Sequence, residues 1–138
     1  GLRIMGLGGS IRYNREETFQ YTEKEMRRRM RRLWFKAHRA GGIDLLLTHS
    51  PAAGLNDGND RAHKGFACFN DLLEEYQPKW FVHGHVHLSY NANLPRVCTH
   101  GQTTVINATE RYTFEIPDPD PVARKRFFWN DPAFPTKN

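Results

Sequence analysis

No stretch of the 138-residue chain approaches the roughly 18 consecutive apolar residues that a membrane-spanning helix needs. The charged-then-apolar pattern of a signal peptide is absent as well. Cysteine is scarce. Cys68 and Cys98 show no CxxC spacing and read as buried or free thiols, which makes a reducing, cytoplasmic setting the expectation. There is no internal repeat and no long low-complexity tract. A glycine run, Gly6-Leu7-Gly8-Gly9, lacks both the Lys-Ser/Thr of a P-loop and the full GxGxxG of a dinucleotide fold, so a nucleotide-loop reading is set aside.

What is present is ordinary globular material. Hydrophobic residues make up 38% and charged residues 25%, enough for one domain with a real core. The formal charge is +5, much of it in one block, Arg27-Arg28-Arg29 with Arg31-Arg32. Such a block reads first as the solvated face of a helix and second as a contact for an anionic partner. The chain opens on Gly-Leu-Arg-Ile-Met and enters almost at once what reads as a strand, so it is expected to be a fragment whose natural start lies upstream.

Residues 2–9 alternate weakly and end in glycines, which predicts a strand running into a tight loop; residues 10–20 read as a surface loop. A helix follows. Thr22 and Glu25 have capping-box spacing, Tyr21 and Met26 stand where a hydrophobic staple would, and Met26, Met30, Leu33 and Ala37 form one apolar stripe. Gly41-Gly42 supplies the left-handed stop. Residues 43–48 are continuously apolar apart from Asp44, as for a strand covered on both faces. A polar loop over 52–64, a helix over 65–76, a stop at Pro78 and a second apolar strand ending in Gly84-His85-Val86-His87 complete a βαβ unit. Its strands must be parallel with a right-handed crossover. Three short β-like runs, 96–99, 103–108 and 111–116, predict further strands, antiparallel in arrangement. Residues 117–138 form a Pro/aromatic-rich tail beyond a domain expected over 1–116.

That topology carries the chemistry. His49 closes the first parallel strand, and His85 and His87 close the second, so all three emerge at the carboxyl edge of one sheet, where open α/β sheets bind ligands. Alternate residues of an extended segment face the same way, and Gly84, lacking Cβ, permits the turn that lifts the pair off the strand end. Converging imidazoles predict a transition-metal site at His49, His85 and His87. Asn107, polar in an apolar run, reads as a brace for the metal loops or as a turn cap. His83 reads as structural, and His38 and His100 as incidental.

With those residues in hand, the chain resembles the calcineurin-like metallophosphoesterase family over residues 2–116. Asp44-Leu45-Leu46-Leu47-Thr48-His49-Ser50-Pro51 looks like the family's strand ending in a metal-binding histidine, Gly84-His85-Val86-His87 looks like its GHxH block, and Thr103-Thr104-Val105-Ile106-Asn107-Ala108 resembles the strand that follows. The resemblance implies a partial metallophosphoesterase-type layered α/β sheet and a two-metal phosphoesterase, with His49 and His85 on one ion and His87 on the other. The implied ions are divalent Mn, Fe, Ni or Zn, which imidazoles favour over Mg or Ca. The resemblance also puts loops like the one holding His63 near the metals. His63 therefore reads either as a substrate-pocket residue or as a surface histidine at a helix start.

The departure is as plain. The family's DxH, GDxxD and GNHD/E blocks are missing, and Gly58-Asn59-Asp60 lacks the histidine. Asp57 and Asp60 offer oxygen ligands only if a metal is held differently. The expectation is therefore a phosphoester hydrolase present as its carboxyl-terminal half, without the acidic ligands, without a catalytic residue of its own, and inactive alone. Its expected partners are a phosphoester substrate, the missing amino-terminal half of the domain, and a second copy at an apolar sheet edge near Leu2–Leu7; no membrane is among them. The competing expectation is a basic module that contacts nucleic acid or an anionic protein through the arginine-rich helix.

Overall fold

The apolar runs that flank the expected crossover pair with one another. In the computed structural model, which describes residues 1–15, 18–89 and 93–117, β4 (Leu45–Thr48) lies parallel to β5 (Trp80–His83). β1 (Ile4–Leu7) flanks β4 on one side, and β7 (Thr103–Asn107) flanks β5 on the other, both parallel. β6 (Val97–His100) closes the sheet, antiparallel to β7, in the order β1-β4-β5-β7-β6. A separate two-residue ribbon joins β2 (Ser10–Ile11) to β3 (Gln20–Tyr21) within the stretch expected to be plain loop.

Two expectations about the carboxyl-terminal strands change. β7 runs parallel to β5, because the chain first passes outside it as β6 and returns through a turn at Gly101, where φ is +57°. Residues 111–116 alternate like a strand but form none; Phe114 instead sets its ring 6.5 Å from that of Trp80. The tail segment from 118 onward lies outside the described residues.

The first helix, α1 (Glu23–Arg39), starts as its sequence predicts. Thr22 Oγ1 accepts from the Glu25 amide at 3.3 Å, and the Glu25 carboxylate accepts from the Thr22 amide at 2.7 Å. It stops where Gly41 takes φ +80°. Its stripe, Met26, Met30 and Ala37, packs with Phe69, Leu72 and Leu73 of α2 (Ala67–Tyr76) on Met5, Leu7, Leu46, Phe81 and Val105 of the sheet. No side chain caps the start of α2 from within. Glu23 of α1 does it, accepting from the amides of Ala67 at 3.1 Å and Cys68 at 2.7 Å. Asp44, the one polar residue of its run, is explained by Arg3, whose amide and Nε donate to its Oδ2 at 2.7 and 2.9 Å.

Both helices cover the same face. On the opposite face Leu45, Trp80, Val82 and Ile106 form a smaller buried cluster, against which Leu2, Ala108 and Phe114 pack, with Lys79 Nζ 4.8 Å over the Trp80 ring. Ile4 on the edge strand is 59% exposed and Leu47 beside it 47%, an unusual condition for parallel strands, which are normally buried on both sides. Among the described residues no helix is long and apolar enough to cross a membrane.

Candidate functional site

The register Leu45↔Trp80, Leu46↔Phe81, Leu47↔Val82 brings β4 and β5 to their carboxyl ends together. The chain leaving β5 is then held against that leaving β4, since the Gly84 amide donates to His49 O at 3.0 Å. The next step is a three-residue turn: Val86 N donates to Gly84 O at 2.8 Å, with His85 between them at φ +68°. The sequence pointed to Gly84 as the residue that turns. The left-handed conformation falls instead on His85, where a side chain is strained and which surrounding contacts must hold. A Cβ at Gly84 would meet His49 O at 3.7 Å and Thr109 Oγ1 at 3.8 Å, ordinary van der Waals contacts, so neither crowding nor backbone conformation requires glycine there.

The turn delivers the His85 ring to 4.7 Å from that of His49, centroid to centroid, and to 5.2 Å from that of His63. His85 Nε2 lies 2.8 Å from Ala62 O. A carbonyl only accepts, so Nε2 carries the proton and Nδ1 keeps its lone pair. Burial lowers the His85 pKa, and the neighbouring His49, His63 and His87 lower it further, which favours the neutral, ligand-competent imidazole.

His63 is set by its own loop. Its Nδ1 donates to Asp60 Oδ2 at 2.8 Å, while Asp60 Oδ1 accepts from the amides of Ala62 and His63 at 2.9 and 3.2 Å. The His63 hydrogen bond, first among these, pulls the Asp60 carboxyl below its usual range. Gly58 is required here, since a Cβ would stand 2.5 Å from His63 Cβ. His87 is exposed and lines a cleft of about 260 Å³ with His63, Asp60, Asn59 and Val86. Asp57 is occupied in the loop, accepting from Gly65 N at 3.1 Å.

Behind the turn stands Asn107, fully buried. Its Nδ2 donates to Val86 O at 2.8 Å and its Oδ1 accepts from Thr109 N at 3.0 Å, so it braces the turn backbone and caps its own loop at once. His83 is buried too, its Nδ1 donating to Gly84 O at 3.1 Å; burial lowers its pKa to about 4 and keeps it neutral.

The donor chemistry of this edge suits a divalent transition ion only in part. Imidazoles converge and one tautomer is locked by a backbone carbonyl, as metal-binding histidines commonly are. Yet the described residues contain no group of three or more His, Cys, Asp or Glu side chains arranged to hold an ion. The structure thus brings together His49, His85 and His63, with His87 one step aside. The place of His63 in that group was the least legible from sequence; its one local signal is the Asp60-x-x-His63 spacing.

The mostly parallel sheet with both helices on one face is a layered α/β fold that carries histidines at its carboxyl edge. No family model matches the chain. Two UPF0046 proteins of Caenorhabditis elegans are similar to it, one 38% identical over 73 residues, 48% of this chain and 24% of that protein, the other 37% identical over 68 residues, 48% and 16%. Human metallophosphoesterase domain-containing protein 1 is 32% identical over 71 residues, 49% of this chain and 20% of that protein. The chain therefore resembles metallophosphoesterase-domain proteins over about half its length, and the match spans a quarter or less of the length of those relatives.

Proposed function

We propose that this chain supplies the histidine side of a metal-dependent phosphoester hydrolase. His49 and His85 belong to one divalent ion, His87 to a second, and His63 to the wall of the substrate pocket. Two such ions would supply Lewis-acid charge to a phosphate. The observation that carries this reading is the 4.7 Å approach of the His49 and His85 rings at the ends of adjacent parallel strands. The similarity to a protein named for its metallophosphoesterase domain supports it.

The chain's own contribution is positional. Asn107 fixes the Val86 carbonyl, Ala62 fixes the His85 tautomer, and Asp60 fixes His63. The carboxylates of a two-metal site have to come from elsewhere, either from further chain or from a partner. The exposed apolar residues Ile4 and Leu47 at the β1 side of the sheet are where that material would dock.

Calorimetric titration with Mn²⁺ and Zn²⁺, paired with an aryl-phosphate assay, tests the reading. It expects weak binding of the transition ion, lost in His85→Ala, and no turnover above background by this chain alone. Robust metal-dependent hydrolysis by the isolated chain would refute it.

A further inference from the structure

We propose that the cleft between the first half of α1 and the β2–β3 ribbon, whose lining includes none of the edge histidines, binds a phosphate ester. The cleft encloses about 300 Å³ and is lined by Arg12 beside β2, Tyr21 of β3, and Glu25, Arg28, Arg29 and Arg32 of α1. Four guanidinium groups thus face one carboxylate among the described residues. Glu25 is already engaged: its Oε2 accepts from the Thr22 amide at 2.7 Å and the Thr22 hydroxyl at 2.9 Å, and lies 3.2 Å from Arg12 Nη2.

The remaining arginines divide by what holds them. Arg27, outside the cleft, pairs with Asp71 of α2 and with Glu23. Arg29 lies over the Tyr21 ring at 4.1 Å and donates to Gly8 O at 2.6 Å, which sets its guanidinium on the cleft wall. Arg28 and Arg32 are exposed and have no acidic partner among the described residues. They stand four residues apart, about 6 Å along the axis, on one side of the helix. Like charges at that spacing disfavour a helix, and an anion seated between them removes the penalty.

Guanidinium forks match phosphate oxygens two at a time, and a phosphate monoester offers three acceptor oxygens with nearly two charges. A concavity favours a group that projects into it over the flat surface of an acidic protein. The same chemistry could come from a free phosphate ester or from the backbone of a nucleic-acid strand. The proposal stands whether or not the histidine edge proves to be a phosphoesterase site.

Calorimetric titration of the chain with inorganic pyrophosphate and with a single-stranded thymidine oligonucleotide tests it. Saturable binding is expected, about tenfold weaker in the double variant Arg28→Ala/Arg32→Ala. The control Arg31→Ala/Arg39→Ala removes the same charge from the same helix and is expected to stay within about twofold, with circular dichroism showing both variants helical. Comparable affinity for the two probes assigns a free phosphate ester. Much tighter oligonucleotide binding that falls steeply with salt assigns a strand backbone. No saturable binding of either probe, or an equal loss in the control, overturns the proposal.

Discussion

His85 Nε2 donates to the carbonyl oxygen of Ala62 across 2.8 Å, joining the turn after β5 to a loop 23 residues earlier in the chain. This one bond fixes the tautomer of the histidine at the centre of the cluster and seats His63 beside it. The bond also helps hold a left-handed conformation that His85 would not adopt alone.

Removing the support behind that turn should be costly. Asn107→Ala leaves the buried Val86 carbonyl without its donor and is expected to destabilise the fold by roughly 1–3 kcal/mol. Urea unfolding measures it. A change below a few tenths of a kcal/mol would show that Asn107 braces nothing.

His83 makes the fold acid-sensitive. Its pKa in the folded chain is about 4 against 6.5 unperturbed, so below pH 6.5 the unfolded chain takes up a proton that the folded chain refuses. Stability is fully present above about pH 6.5 and falls as the pH drops toward 4, by a few kcal/mol at most. Urea midpoints of the metal-free chain at pH 7 and pH 4.5 should differ, and in His83→Phe they should differ less. Equal pH slopes in the two proteins would remove His83 as the cause.

The helices and the histidine pair were legible in the sequence because their determinants are local. Thr22 and Glu25 state where α1 begins, and the spacing of Met26, Met30 and Ala37 states which side it buries. The meeting of His49 and His85 follows once two apolar runs are joined by a helical crossover, because such strands must be parallel. Strand order was not legible. Nothing near Thr103 says that β7 will sit beside β5 with β6 outside it, since pairing partners are chosen by distant surfaces. The alternation of residues 111–116 suggested a strand, whereas Phe114 serves to cover Trp80. The positive φ of His85 was hidden by a glycine next door, and the approach of His63 depended on a loop that has no periodicity to read.

The edge at β1 should associate. Ile4 is exposed on a strand whose outer side pairs with nothing in the described sheet. Ultracentrifugation at rising concentration is expected to show oligomers for the chain and a monomer for Ile4→Lys. A monomer for both would remove the edge from the account.

The central claim is that His49 and His85 serve a single ion, and histidine-ring ¹H–¹⁵N spectra during Zn²⁺ titration test it most directly. The account predicts that the His49 and His85 resonances respond together and first, that His85 coordinates through Nδ1 while Nε2 stays protonated, and that either alanine variant abolishes the response of the other ring. Zinc that shifts His38 or His100 while leaving these two rings unmoved would contradict it.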